Sequence, residues 1–214
     1  MQRILINNMI LEFKEQEKLL SDYGIKRPPT FLAKEREEAV ELAGKVGYPL
    51  AMKVFSTKIL HRTEISGVVT GLKGEEEVRE AFSRLIKIQD VEAVIVQKEI
   101  SGVELFIGAK KDPTFGATLM LGTGGTMVEL FNDVVFRIAP IEEKDALEMI
   151  SEIKGKVLLE GFRGRPKIRK EKLVDVLVKT SELIYKEKIK ELDFNPVIAT
   201  DEEVFICDVK LFHD

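Results

Sequence analysis

The spacing of apolar residues divides the chain into helical and extended segments. Apolar side chains recur at helical spacing in five stretches, 10–23, 34–46, 75–88, 143–153 and 170–187. Short apolar runs predict strands at 50–55, 67–72, 93–97, 100–111, 116–121, 134–139, 196–199 and 204–207. Within the second helix, the inward face is predicted to hold Val40, Leu42, Ala43 and Val46. The pattern predicts an α+β protein with an N-terminal helical segment (1–22) and two α+β lobes (23–97 and 98–214).

Composition narrows the class of protein. The 214 residues are 44% apolar and 33% charged, and no apolar run approaches the ~18 residues of a membrane-spanning helix. The N-terminus lacks a secretory signal, and one cysteine, Cys207, excludes an internal disulfide. A net charge of −4 with interspersed signs argues against a nucleic-acid binder. We therefore expect a cytoplasmic protein with neither membrane nor nucleic acid as partner, and its bias toward Lys and Glu is typical of heat-adapted proteins.

The stretch 47–69 carries two side chains that could meet a phosphate. Lys53 is the only charge in the apolar run 50–55, and a lysine among apolar neighbours needs a negative partner, of which phosphate is the simplest. A lysine that reaches out to solvent is the alternative. His61 lies in the polar loop before the next strand, where a neutral imidazole could accept a phosphoryl group. A solvent-facing histidine without a role would look the same.

Closely spaced glycines follow one strand of the second lobe. Gly122-Thr-Gly-Gly125 could bring the backbone N–H groups of Gly124 and Gly125 close to a phosphate, because no Cβ stands in the way. No Gly-Lys-Ser or Gly-Lys-Thr follows, so this is not a P-loop. A tight turn that needs positive φ is an equally good interpretation.

Polar residues near the C-terminus predict a magnesium site. Asp193 and Asn195 precede a closing strand, and Asp208 belongs to the next one, so the three could converge at one end of a hairpin. Such hard oxygen ligands suit Mg²⁺, which commonly takes one or two carboxylates. Ordinary turn-side acids are the alternative, although an unpaired Asp208 inside an apolar run would be costly. Glu104, at the junction of the lobes, could accept from ribose hydroxyls or be an exposed hairpin acid.

The order of these features resembles the ATP-grasp fold, and it is most similar to the β subunit of the ADP-forming acyl-CoA synthetases, relatives of succinyl-CoA synthetase. The resemblance extends from Tyr23 to Lys210. The stretches that carry it are Gly47-Tyr-Pro-Leu-Ala-Met-Lys53, Ile59-Leu-His-Arg-Thr-Glu64, Phe115-Gly-Ala-Thr-Leu-Met-Leu-Gly-Thr-Gly-Gly125, Val128-Glu129, Phe136-Arg-Ile-Ala-Pro-Ile141, Gly161-Phe-Arg-Gly164 and Glu191-Leu-Asp-Phe-Asn-Pro196.

This resemblance implies two lobes with ATP or ADP between them and a relay of phosphoryl groups. In the family an acyl phosphate forms on a CoA-binding α subunit, the phosphate passes to a histidine there, and the β subunit carries it to ADP. His61 matches the loop histidine regarded as a second phosphorylation site in archaeal two-subunit enzymes. The resemblance also implies a CoA-binding α subunit as partner, in an α2β2 heterotetramer.

Site residues follow from the same motif positions. By resemblance, Lys53 would hold nucleotide phosphates, Lys98 and Glu99 would line the adenine hinge, and Glu104 would bind the ribose. Asn195 and Asp208 match the Mg²⁺-binding pair. Asp193 stands beside them, where other members have Glu.

The family function has two alternatives. An ATP-grasp ligase could activate a carboxylate directly as its acyl phosphate, which needs no histidine. A nucleotide-sensing subunit without catalytic activity could keep the fold. If labelled phosphate were found on His61, this would support the relay and argue against both alternatives.

Overall fold

The computed structural model describes residues 10–59, 65–124, 133–161 and 166–213. Its helices are α1 (Phe13–Asp22), α2 (Arg36–Val46), α3 (Glu75–Leu85), α4 (Glu143–Glu152) and α5 (Lys170–Lys186), with a 3-10 helix at Lys154–Glu160. Its strands are β1 (Thr30–Ala33), β2 (Leu50–Phe55), β3 (Val68–Leu72), β4 (Ala93–Lys98), β5 (Val103–Asp112), β6 (Gly116–Thr123), β7 (Val134–Ile138), β8 (Ile189–Ala199), β9 (Val204–Ile206) and β10 (Val209–His213). No helix within these ranges has both the length and the apolar composition needed to cross a membrane.

The chain folds into two compact units. The smaller unit is Arg27–Ile100, and the larger combines Ser101–Asp214 with the described part of Met1–Lys26. The predicted boundaries, after residues 22 and 97, differ from these, and the prediction treats the N-terminal helical segment as separate. In the structure the N-terminal segment joins the larger unit, where the Leu11 N–H donates to the Leu211 carbonyl (2.9 Å).

The smaller unit is a four-stranded antiparallel sheet in the order β1-β4-β2-β3. One face packs on α2 and α3 and buries Leu50, Met52 and Val54 of β2. Helix α2 ends where Gly47 adopts a φ of +77°, which only glycine accepts without strain.

The predicted inward face of α2 was partly wrong. Ala39, Ala43 and Val46 are buried, whereas Val40 and Leu42 are half-buried at the margin of the same core. Alanines at the centre of the helix face allow close packing, and the larger side chains cover the sides.

The larger unit is a six-stranded antiparallel sheet in the order β10-β8-β5-β6-β7, with β9 paired to the far end of β8. The inner face packs on α4 and α5 and buries alternate residues of β5, such as Leu105 and Ile107. Strand alternation turns Glu104, Phe106 and Gly108 to the outer face.

Gly108 shapes the outer face of this sheet. A Cβ there would lie 2.7 Å from Phe106 Cζ and 2.8 Å from Met120 Cε, so only glycine lets these side chains lie across the strand. Asp193 of β8 stands opposite Gly108. The outer face thus combines an apolar stripe with the acidic residues predicted for the site.

Candidate functional site

Lys53 is buried in the smaller unit. The residue is 7% exposed, and its Nζ donates to Oε1 of Gln97 at 2.9 Å. Gln97 is itself 2% exposed. The predicted strand at 50–55 is confirmed, and the alternative of a lysine that reaches solvent is wrong. A charge held this deep is typical of a site for a polar or anionic group.

Lys98 and Glu99 hold the end of β4 against neighbouring segments. The Lys98 ammonium donates to the carbonyls of Tyr48 (2.6 Å) and Gly47 (3.3 Å). A carboxylate oxygen of Glu99 accepts from the Gly71 N–H at 2.7 Å. Lys98 therefore stabilises the turn before β2, and Glu99 contacts the backbone of β3 itself. Their predicted place beside an adenine stays a prediction.

Glu104 and Gly124 meet in the larger unit. The Gly124 N–H donates to the Glu104 carbonyl at 2.8 Å. A Cβ on Gly124 would lie 2.9 Å from both C and Cβ of Glu104, so this glycine is needed for a close approach of two backbones and not for positive φ. The Glu104 side chain is exposed on the outer face. Gly125 and His61 lie outside the described residues.

Asp133 is a buried residue that sequence reasoning missed. Its Oδ2 accepts from Thr123 Oγ1 (3.0 Å) and the Gly155 N–H (2.8 Å), and its Oδ1 accepts from the Lys154 N–H (2.6 Å). It thereby joins the end of β6 and the start of β7 to the first turn of the 3-10 helix. An aspartate before an apolar strand also looks like an ordinary turn acid, so the sequence gives little signal for it.

The backbones of Asn195 and Asp208 meet, although Asp208 is not on a strand as predicted, and the role of the two side chains as a metal-binding pair stays a prediction. It lies between β9 and β10, where β8 changes partners, and its carbonyl accepts from the Asn195 N–H at 3.2 Å. Its carboxylate Oδ1 accepts from the Val209 N–H at 3.0 Å. The break in pairing lets an acid sit here within an otherwise apolar sequence.

Asp193 has one oxygen in an ion pair and one without a partner. Lys210 Nζ lies 3.1 Å from Oδ2, while Oδ1 is buried and has no hydrogen-bond partner in the described part of the chain. A buried carboxylate oxygen is costly unless a cation, a donor or water meets it.

The donor set near Asp193 fits Mg²⁺. Two carboxylates and one amide, from Asp193, Asp208 and Asn195, offer hard oxygens, and Mg²⁺ takes few protein ligands and keeps several waters. Within residues 10–59, 65–124, 133–161 and 166–213, no three or more His, Cys, Asp and Glu side chains form a metal-binding group. Zn²⁺, which is held by three or four such ligands, fits less well.

Residues 6–212 match the family model of the ATP-grasp domain. The chain belongs to the ATP-grasp family. This finding confirms the resemblance stated from the motifs and the predicted α+β class. The ATP-grasp match covers both structural units, so Lys53 and the acids of the larger unit lie in one family domain.

Two relatives of this ATP-grasp chain are named as ADP-forming acetate–CoA ligases. It is 39% identical over 206 residues to acetate–CoA ligase [ADP-forming] I subunit beta of Pyrococcus furiosus, covering 92% of this chain and 89% of that one. It is 38% identical over 204 residues to acetate–CoA ligase [ADP-forming] II of Archaeoglobus fulgidus. The match covers 95% of this chain but 30% of that relative's length, so the relative contains further parts.

Solved structures agree with these relatives. The acetyl-coenzyme A synthetase 1 of Ca. Korarchaeum cryptofilum, in complex with coenzyme A, Ca-AMPCP and HgCl+, matches with a TM-score of 0.90 and 38% identity, covering 96% of this chain and 94% of that one. The same enzyme with Mg-AMPPCP, its phosphohistidine segment pointing towards the nucleotide binding site, matches with a TM-score of 0.81 and 37% identity, covering 96% and 93%.

Proposed function

We propose that this chain is the nucleotide-binding β subunit of an ADP-forming acyl-CoA synthetase. The observation that carries the proposal is the match to the P. furiosus subunit beta over 92% of this chain and 89% of that subunit. The overall reaction turns acyl-CoA, ADP and phosphate into the free acid, CoA and ATP, and it is reversible. A CoA-binding α subunit supplies the acyl chemistry, in an α2β2 heterotetramer.

Phosphoryl transfer in this proposal uses a histidine of this chain. A phosphohistidine on the α subunit gives its phosphoryl group to a nitrogen of His61, and that N–P bond then breaks as a β-phosphate oxygen of ADP attacks phosphorus. A histidine on a segment that reaches both sites lets distant active sites exchange a phosphate without releasing it.

The residues predicted for the nucleotide would divide its parts among them. Lys53 would neutralise phosphate charge, and Glu104 would accept from the ribose hydroxyls. The Gly124 N–H already donates to the Glu104 carbonyl, so of the predicted glycine pair it is Gly125 whose backbone N–H would face phosphate oxygens. Lys98 and Glu99 would line the adenine.

Three residues would hold the metal ion, Asp193, Asn195 and Asp208. A bound Mg²⁺ would neutralise the negative charge that develops on the phosphates during transfer. The orphan Oδ1 of Asp193 supports this placement.

Labelling of the complete complex tests the relay. The chain is combined with its α partner, acetyl-CoA and ³²P-phosphate, and protein-bound label and ATP are measured. The chain has two histidines, so His61→Gln has a matched control in His213→Gln at the exposed end of β10. We expect His61→Gln to abolish both label on this chain and ATP synthesis, and His213→Gln to keep both. ATP synthesis by His61→Gln would favour direct transfer, and nucleotide binding without turnover in any complex would favour a sensing subunit.

A further inference from the structure

Thr30, Gln97 and Lys53 lie on one face of the four-stranded sheet. In the pairing of β1 with β4, Thr30 stands opposite Gln97. In the pairing of β2 with β4, Gln97 stands opposite Ala51, and Lys53 follows two residues later. Residues opposite each other share a face, as do residues two apart on a strand. The three side chains therefore form a row across the sheet, on the face away from Met52 and Val54.

Hydrogen bonds connect these three side chains, and the donor and acceptor of each bond can be assigned. The Thr30 hydroxyl donates its one hydrogen to the Pro28 carbonyl (2.6 Å), so it can only accept from the Gln97 amide nitrogen, which lies 2.9 Å away. The amide oxygen of Gln97 is then left to face Lys53 Nζ at 2.9 Å. The opposite amide orientation would place NH₂ against an ammonium, where both groups are donors.

We infer that Thr30 and Gln97 are positioning residues that aim the Lys53 ammonium at a nucleotide phosphate. The inference rests on the proposed nucleotide-binding function. Thr30 acts only through Gln97, because its hydroxyl determines which end of the amide meets the lysine. Since Gln97 is 2% exposed, water cannot easily replace either contact.

The absence of charge on the Gln97 amide is part of its positioning role. Gln97 accepts a hydrogen bond from the lysine and adds no negative charge of its own beside it. A glutamate at this position would hold the ammonium as an ion pair and reduce its attraction for a nucleotide. The amide also carries the donor that Thr30 requires, which a carboxylate lacks.

The experiment compares two substitutions of Thr30 in the purified full chain. Thr30→Val keeps the shape of the side chain and removes the hydroxyl, whereas Thr30→Ser keeps the hydroxyl. ADP affinity with Mg²⁺ is measured by calorimetry, and unfolding stability by urea denaturation. We expect Thr30→Val to weaken ADP binding about fivefold and Thr30→Ser to stay within about twofold of the unaltered chain.

Further variants exclude a merely structural role. Thr118→Val is the matched control, since Thr118 is a strand threonine of the other unit whose hydroxyl also donates to a carbonyl, that of Lys110 (3.0 Å). It should leave ADP affinity unchanged. Gln97→Glu should weaken ADP binding about tenfold, and its unfolding stability is measured beside it, because the carboxylate gains an ion pair with the lysine and loses the donor to Thr30. In the assembled complex, Thr30→Val should raise KM for ADP more than it lowers kcat.

The outcomes separate this inference from the function on which it rests. If the unaltered chain binds no ADP, the proposed function fails. If it binds ADP and Lys53→Met weakens binding, while Thr30→Val binds as well as Thr30→Ser, the positioning inference is overturned and the function stands. Normal ADP binding by Lys53→Met also overturns it, because no ammonium would need aiming. If Gln97→Glu loses ADP affinity only because the variant is partly unfolded, that result also counts against the positioning inference.

Discussion

Asp133 and Asp193 belong to the same structural unit, one just before β7 and the other within β8. The two oxygens of Asp133 accept from three donors, two backbone N–H groups and the Thr123 hydroxyl, and the residue is 5% exposed. Asp193 has one ion pair, to Lys210, and one buried oxygen with no partner among the described residues. Donors of the protein itself thus satisfy both oxygens of Asp133, whereas the Oδ1 oxygen of Asp193 is left to bind a ligand. Burial and charge alone would not have distinguished a structural aspartate from a functional one.

Removing the Asp133 carboxylate should have the largest effect on stability. Asp133→Ala removes the acceptor of three donors, two of them buried, and we expect the free energy of unfolding to fall by about 3 kcal/mol. Urea denaturation of the purified chain measures this, with Asp201→Ala at an exposed turn as the control. A loss below about 1 kcal/mol would mean that the hydrogen bonds around Asp133 are not a stabilising network.

A methyl group placed beside Asp133 should have the next largest effect. A Cβ on Gly155 would lie 2.1 Å from Thr123 Cγ2, so Gly155→Ala forces the 3-10 helix away from the carboxylate. We expect a loss of about 2 kcal/mol in unfolding free energy.

Thr123→Ser sharpens this test, because it removes the clashing methyl and keeps the hydroxyl that donates to Asp133. The double variant Thr123→Ser/Gly155→Ala should be more stable than the sum of the single effects predicts. A double-mutant cycle measures the coupling, and additive effects would contradict the contact.

Asp193→Asn should change stability little and metal-dependent binding strongly. Its ion pair with Lys210 is partly exposed, so we expect the unfolding free energy to change by less than about 1 kcal/mol. ADP affinity in Mg²⁺ should fall about tenfold, and the difference from the unaltered chain should vanish when EDTA removes the metal ion. Asp175→Asn, which breaks the ion pair of Asp175 with Lys179 on α5, is the matched control. If Asp193→Asn lowered the free energy of unfolding as much as Asp133→Ala does, the distinction between a structural and a ligand-binding aspartate would be wrong.

Local patterns were enough to predict much of the fold and part of the site. Strand β2 has the predicted bounds, because a short apolar run after Tyr48-Pro49 has few other conformations. The prediction for β8 was too short, since the strand begins at Ile189 and not near Pro196. Lys190 and Glu191 lie in its first half. A strand that is buried on one side only carries polar residues on its other side, so it lacks the continuous apolar run that predicted a strand at Pro196.

The residues that the sequence did not reveal depend on partners far away along the chain. Asp133 meets the N–H groups of Lys154 and Gly155, and Gln97 meets Thr30 and Lys53. No periodicity within a single element indicates such contacts, because only strand pairing and helix placement create them. Asp193 and Asp133 also look alike in sequence, so the unpartnered oxygen could be seen only once the hydrogen bonds were known.

Glu160 should have the smallest effect of the carboxylates compared here, despite a strongly altered pKa. Hydrogen bonds from Lys170 and Lys167 lower the pKa of Glu160 to about 2, from 4.5. A lowered carboxyl pKa adds stability above pH 4.5, and this is lost as the pH falls through about 2. Because solvent screens an exposed pair, Glu160→Gln should shift the thermal midpoint at pH 7 by less than ~2 °C, and even less in 1 M salt. Melting curves at pH 7 and pH 2 measure this, and a larger shift at pH 7 would show that exposed ion pairs rival the buried Asp133 network.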